Sequence, residues 1–212
     1  MKTHTQTFKE NLIKLGKEIN AKITYTINGT TTELDGESLA SVTPHFKGNI
    51  LKSVMKQVDI VSDIDIPLET QINVQFGMKY DSGSYEYINF GNYIVYSSEK
   101  QEDTNNYKII AYDKMLYSMK DYEELSITYP CTIKQFIIKL AQNMGLGASL
   151  PNNFVNQDRE LTQDVFVGLG YTKRDVLDQL AEVTASTICI SKDDKLEIRY
   201  IKEAIANLRR GD

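Results

Sequence analysis

The sequence has no tryptophan, two histidines, two cysteines and four prolines in 212 residues, and each scarcity removes a class of chemistry. His4 and His45 are the only imidazoles. A histidine-dependent triad would have to rest on His45, because His4 stands in a terminus prone to fraying. Cys131 and Cys189 are far apart and neither belongs to a C-x-x-C pair, so no zinc or redox motif is written in them; both read as buried free thiols. No apolar run approaches the roughly eighteen residues of a membrane-spanning helix. Residues 1–20 carry Lys, Glu and Asn where a secretory signal needs an apolar core, which points to synthesis in the cytosol. Blocks of one charge are absent too. The net charge of −5 is spread over interspersed acids and bases, which argues against a basic patch that neutralises phosphates.

What is present is ordinary for a folded chain. The apolar share is 41% and the charged share 25%, enough at this length for one large domain or two small ones, each with a hydrophobic core.

Periodicity then divides the chain. Phe8, Leu12, Leu15 and Ile19 share one helical face, predicting an amphipathic helix over 7–19. From Ala21 the period falls to two, with Ala21, Ile23, Tyr25 and Ile27 on one side. Asn28-Gly29 follows and predicts a hairpin into 30–34, since both residues tolerate positive φ. Ile50, Leu51, Val54, Met55 and Val58 fall at helical spacing and predict a short helix. It leads to an extended piece with Ile60, Ile64 and Ile66 that Pro67 closes. Gln71 to Lys79 alternates cleanly. A turn at Asp81-Ser82-Gly83-Ser84, a strand over 85–90, a bend at Gly91-Asn92, a strand over 93–96, a polar loop over 99–106 and a strand over 107–112 complete a hairpin-linked series, as in an antiparallel sandwich or barrel.

Past Tyr129-Pro130 the pattern changes. Thr132-x-x-Gln135 is a capping box opening a helix through Ile133, Phe136, Ile137, Leu140, Ala141 and Met144, which Gly145 and Gly147 end. Thr172 opens a second helix, with Asp175 in its first turn and Val176, Leu177, Leu180 and Ala181 on its apolar face. Thr187 to Ile190 and Leu196 to Ile201 flank Lys192-Asp193-Asp194-Lys195 as a hairpin. The fold class expected is α+β: an N-terminal helix over 1–20, an antiparallel β-barrel or sandwich over 21–128, a small α/β domain with two helices and a hairpin over 129–201, and a C-terminal extension over 202–212.

No arrangement for catalysis, cofactor or metal emerges. A Cys131 or Cys189 nucleophile with His45 lacks any local signature, and His45 between Pro44 and Phe46 reads as a loop residue. Asp63-x-Asp65 lacks the glycine and closing glutamate of a calcium loop, so it reads as a solvated strand face. Asp193-Asp194 is a turn pair and Glu123-Glu124 the solvated end of a helix. Gly168-Leu169-Gly170 has no third glycine in register, and Asp175 would repel a phosphate there. Asn28-Gly29-Thr30 and Arg210-Gly211-Asp212 match a glycosylation sequon and an adhesion tripeptide only by coincidence. The abundant aromatic is tyrosine, 13 in all. Tyr85, Tyr87, Tyr93, Tyr96, Tyr107 and Tyr112 suit a ligand platform or a packing and subunit surface, the latter favoured by tyrosine's large area and wet end.

Phe90-Gly91-Asn92-Tyr93-Ile94-Val95 and, above all, Ile109-Ile110-Ala111-Tyr112-Asp113-Lys114-Met115 resemble the baseplate hub (tail-associated) proteins at the tail tips of siphophages and prophages of Gram-positive hosts. In that family a strand ending Ala-Tyr-Asp-Lys-Met leads to a short helix. A Tyr-Pro-x-Thr helix follows, here Tyr129-Pro130-Cys131-Thr132, then a second helix and a hairpin ending in Asp194-Lys195-Leu196-Glu197-Ile198. The likeness spans about 21–201. It implies a tail-tube type barrel followed by the small α/β domain, and a non-enzymatic structural role in the virion tail. It further implies a homotrimeric ring that caps the tail tube beside a distal tail protein and a tape measure protein and lets DNA pass through its lumen. It also implies that 202–212 precede a truncated remainder of a longer hub protein. The rival readings are a cell-wall carbohydrate-binding or adhesion module built on the tyrosine strands and, last, a Cys/His cell-wall hydrolase.

Overall fold

The computed structural model describes residues 18–80 and 83–200. The helix expected over 7–19 lies outside them apart from its last two residues, and Ile19 opens a strand instead. His4, Asp81, Ser82 and the 202–212 extension also lie outside.

The chain forms two compact units. The first comprises 1–45 and 57–112, the second 46–56 and 113–212. The sequence places one change of character at 128/129; the units exchange at 112/113, and the second also claims 46–56.

Unit 1 is a single antiparallel ladder. Its strands are β1 (Ile19–Ile27), β2 (Thr30–Leu34), β3 (Leu39–Lys47), β4 (Ser53–Ser62), β5 (Gln71–Lys79), β6 (Tyr85–Lys100) and β7 (Tyr107–Tyr112). They lie in the order β2-β1-β5-β6-β7-β4, with β3 on β4. Asn28 and Gly29 make the β1–β2 turn at φ 51° and 79°, the left-handed pair that a two-residue hairpin demands. The ends of the ladder, β2 and β3, are joined by the link 35–38, where Ser38 and Leu39 both donate to the Asp35 carbonyl. Among the described residues β2 and β3 do not pair and no second, facing sheet is formed in this unit, so the barrel expected from sequence does not close there. Leu34, Ile60, Ile66, Ile72, Val74, Tyr93 and Ile109, each at most 1% exposed, belong to its core. Fully burying an aliphatic side chain contributes about 1.5–3 kcal/mol.

β6 is one strand of sixteen residues, not two strands around a bend. Register with β5 slips between Val74 and Gln75, opposite Phe90, and register with β7 slips across Tyr96. Each bulge inserts a residue and shifts the inward-facing set by one.

The strongest departure from the sequence reading is β4. Residues 50–58 were expected as a helix, and a strand runs through them. Ser53, Met55 and Gln57 are buried on one phase, then Val58, Ile60 and Ser62 on the other. The buried side of the strand switches where the chain leaves unit 2 for unit 1. That switch puts Met55 and Val58 three apart and imitates a helical stripe. The extended piece expected through Ile64 and Ile66 stops at Ser62. Ile64 donates to the Ser62 hydroxyl in a turn, while Ile66 is fully buried.

Unit 2 begins at the end of β7. Asp113 caps a short 3₁₀ turn, Lys114–Met119, by accepting from the Met115 amide. An irregular stretch holds Glu123 and Glu124, exposed and outside any helix, which corrects their expected place. β8 (Cys131–Thr132) leads to α1 (Ile133–Asn143), followed by β9 (Gly147–Ser149), β10 (Glu160–Leu161), α2 (Lys173–Val183), β11 (Ser186–Ile190) and β12 (Lys195–Tyr200). Thr132 and Gln135 form the expected capping box, and Thr172 and Asp175 form a second one. β11 and β12 are an antiparallel hairpin. β9 joins β12 in parallel, and residues 53–54 of β4 join β11 in parallel. Phe136, Ile137, Leu140, Val176, Leu177 and Leu180 bury the inner faces of the helices.

Candidate interaction surfaces

His45, in β3, pairs its Nε2 with Asp59 at 3.4 Å within unit 1. Cys131 and Cys189 are buried free thiols in unit 2, and burial pushes both upward from the ordinary thiol value, away from the thiolate a nucleophile needs. Asp65 accepts from the Ser98 hydroxyl at 2.6 Å. Among the described residues no group of three His, Cys, Asp or Glu is gathered as metal ligands would be. Asp194 turns the β11–β12 hairpin at φ 58° and pairs with Lys114 at 2.9 Å. Gly168 and Gly170 take φ 77° and 68° in the loop before α2.

The tyrosines do not form one platform. Tyr93 is 1% exposed and stacks on Phe90, whose ring meets Phe76 edge-on. Tyr96, lifted out by its bulge, is 61% exposed and meets Tyr112 edge-to-face at 5.4 Å. Tyr85 and Tyr87 sit two residues apart on the outer face with centroids 5.8 Å apart. Tyr87 lies across Gly77, its partner on β5, where an added Cβ would stand 2.7 Å from the ring. Lys22 lies 4.7 Å above that ring and pairs with Glu33 at 2.8 Å.

Beside these rings the outer face carries carboxamides and hydroxyls. Register places Thr24 beside Asn73 and Asn73 beside Asn92, then Lys22 beside Gln75 and Gln75 beside Asn89. Asn73 Nδ2 donates to Asn89 Oδ1 at 3.0 Å, to Asn92 Oδ1 at 2.9 Å and to the Gly91 carbonyl at 3.3 Å. Gln75 Nε2 donates to Asn73 Oδ1 at 2.9 Å, and the Gly91 amide donates to Asn89 Oδ1 at 2.9 Å. Thr26 and Thr31 share a hydroxyl bond at 3.0 Å. This network joins segments that look unrelated in sequence; only the alternation of β5, which puts Asn73, Gln75 and Gly77 on one face, hints at it.

Unit 2 presents a different surface. Val165, Val167 and Leu169 are each about half exposed on the loop before α2. Phe166 anchors that loop against Phe136 and Tyr122. Asp164 accepts from the Tyr122 hydroxyl at 2.5 Å and from the Phe166 amide at 3.0 Å. Burial and that carboxylate push the Tyr122 phenol upward, and burial with the same carboxylate does so at Tyr129, so both phenols stay protonated.

Set beside known proteins, the chain matches no family model and no curated protein. Its likeness is to solved structures, and the fold it shares with them is that of phage tail proteins. One is the 43 kDa tail protein of prophage MuSo2 from Shewanella oneidensis, at a TM-score of 0.52 and 12% identity over 85% of this chain and 55% of that one. The tail protein of Neisseria meningitidis MC58 gives 0.56 and 13% over 84% and 50%. Prophage tail protein gp18 of Listeria monocytogenes EGD-e gives 0.52 and 12% over 85% and 50%. The chain thus spans about half the length of the tail proteins it matches.

Proposed function

We propose that the chain is a non-enzymatic structural subunit of a phage or prophage tail tip, a baseplate hub component that works in a ring capping the tail tube. The observation that carries this is the fold, shared with tail proteins from three organisms over more than four-fifths of the chain at 12–13% identity. The Ala111-Tyr112-Asp113-Lys114-Met115 motif supports it from within the chain. Its first two residues end the last strand of unit 1, and Asp113 begins unit 2 by capping the 3₁₀ turn. In this reading three copies form the ring, a distal tail protein and a tape measure protein are its neighbours, and DNA crosses the lumen without specific binding. The net charge of −5 suits that passage, because like charge keeps phosphates from adhering.

Light scattering on the purified chain over a concentration series, with electron microscopy of the same samples, tests the proposal. Three times the chain mass and a ring with an open centre are expected. A monomer at every concentration that forms no ring on a purified tail tube would overturn the hub reading.

A further inference from the structure

Unit 2 carries an apolar stripe with an acidic border. Val165, Val167 and Leu169 are each about half exposed on the loop before α2. Between them Phe166 packs 5.6 Å from the Phe136 ring and 6.1 Å from that of Tyr122, which pins the loop with its aliphatic side chains outward. Single exposed aliphatics are ordinary, but three in alternation on one pinned loop make a patch. The Tyr122 amide donates to the Tyr171 carbonyl at 2.8 Å, and Asp121 pairs with Thr172, which brings 121–124 alongside 169–172. Asp121, Glu123 and Glu124 are exposed there. Neighbouring bases are engaged elsewhere: Lys120 lies 6.0 Å from the centre of the Tyr117 ring, and Arg174 donates to the carbonyls of Lys47 and Ser53.

We propose that this patch docks residues 7–17 of a second copy of the chain. An occupant must be apolar along one side and basic beside it, and this sequence holds such a segment. Residues 1–17 carry four lysines, Lys2, Lys9, Lys14 and Lys17, against one acid, Glu10, in a chain whose net charge is −5. Phe8, Leu12 and Leu15 recur at the spacing of one helical face. The apolar side chains meet Val165, Val167 and Leu169, as a helix laid on an apolar surface does. The lysines meet the acidic border, which steers the encounter and fixes its direction. The same border disfavours nucleic acid and an anionic bilayer, which like charge repels. The segment leads into unit 1 and the patch belongs to unit 2, so two different surfaces meet. A contact of that kind, repeated from copy to copy, closes into a ring or runs on as a filament. It does not presuppose the hub reading, which calls for a ring but names no contact that closes it.

The test cross-links full chains. Cys131 and Cys189 are buried, so a cysteine placed on the surface is the reactive thiol. Chains carrying Leu12→Cys are mixed with isotope-labelled chains carrying Val167→Cys and treated with a short bis-maleimide. A mixed dimer joined between positions 12 and 167 is expected, in severalfold higher yield than Leu12→Cys gives with Thr104→Cys in the β6–β7 loop. Glu123→Lys together with Glu124→Lys in the Val167→Cys chain should lower the yield to that of the Thr104 comparison. All these substitutions sit on exposed or half-exposed positions or in the docking segment, and Phe166, which pins the loop, is kept. A yield no higher than the comparison overturns the proposal. So does a yield indifferent to the charge reversal, because charge is what selects this occupant. A chain bearing both cysteines that closes on itself as a monomer, while the mixture gives no dimer, assigns the segment to its own patch and overturns the second copy. A trimer seen by light scattering without the 12–167 link sinks this contact and leaves the hub reading standing.

Discussion

The two units solve the same accounting problem differently. In unit 1 the buried polar side chains among the described residues are Gln57 and Ser62. In unit 2 Ser53, Asp113, Ser118, Lys173, Thr184 and Ser186 are all buried. Helix ends and segments arriving from elsewhere in the chain leave donors and acceptors that no ladder reaches. Side chains answer them. Asp178 accepts from both the amide and the hydroxyl of Ser53. Arg174 donates to the carbonyls of Lys47 and Ser53, and Lys56 donates to that of Ile190. Thr184 bonds the Leu180 carbonyl and Ser186 beyond the end of α2. A sheet unit therefore tolerates polar substitution on its outer face, whereas the α/β unit is held by a few polar latches that each matter.

The first test should show where the units are alike. Ile72→Ala in unit 1 and Phe136→Ala in unit 2 both empty fully buried sites. Costs of about 2–5 and 3–5 kcal/mol respectively are expected in urea unfolding. The contrast follows with polar residues. Asp178→Ala strands two donors of Ser53 and should cost about 1.5–3 kcal/mol, while Asn73→Ala, on the half-exposed face, should cost under about 1 kcal/mol. Equal losses at these two positions would remove the distinction.

Asp113 sharpens it through pH. One carboxylate oxygen caps the 3₁₀ turn, and the other is buried without a partner. Burial pushes this group up from 3.8 to about 7, against the opposing pull of Lys56 and Arg174. A folded value above the unfolded one means that the folded state holds the proton longer. The group's stabilising contribution is full below about 3.8 and is lost as pH rises toward 7. Asp113→Asn keeps an oxygen for the Met115 amide and removes the buried charge. It should match the wild type near pH 4 and exceed it by about 1–3 kcal/mol above pH 7, on the usual cost of an unpaired buried group. Parallel stability curves across that range would refute the assignment.

Much of this architecture is legible in the residues, for identifiable reasons. β5 reads as a strand because its two faces differ in polarity along its whole length, and Asn28-Gly29 and Thr132-x-x-Gln135 are local chemistry that tertiary structure did not override. β4 misreads because its buried face changes at Gln57/Val58, a fact of tertiary placement that leaves a false helical period in sequence. β3 escapes notice because only Leu39, Val42 and Pro44 are even half-buried in it, too few to leave an alternating trace. Gly91-Asn92 announces a disturbance, but whether pairing resumes beyond it depends on the partner strand. The amide face is invisible for a related reason: Lys22, Asn73, Gln75 and Asn89 meet only through a register set by the core on the opposite side.

The smallest expected effect separates the two helix caps within unit 2. Thr132 and Thr172 cap α1 and α2 alike, each accepting from the third backbone amide, and alanine at either should cost about 1 kcal/mol at neutral pH. Their reciprocal partners differ. Gln135 cannot titrate, but Asp175 accepts from both the amide and the hydroxyl of Thr172. Those bonds hold its carboxyl below its ordinary 3.8. A lowered folded value stabilises above the unfolded one and is lost as pH falls through the folded value. Acidification from pH 5 toward 2 should therefore loosen the start of α2 while α1 keeps its cap. Amide exchange at Asp175 and Gln135 reads this directly. Faster exchange at Asp175 with Gln135 unchanged is the expected result, and identical acid profiles would mean that the carboxylate adds nothing beyond the threonine it faces.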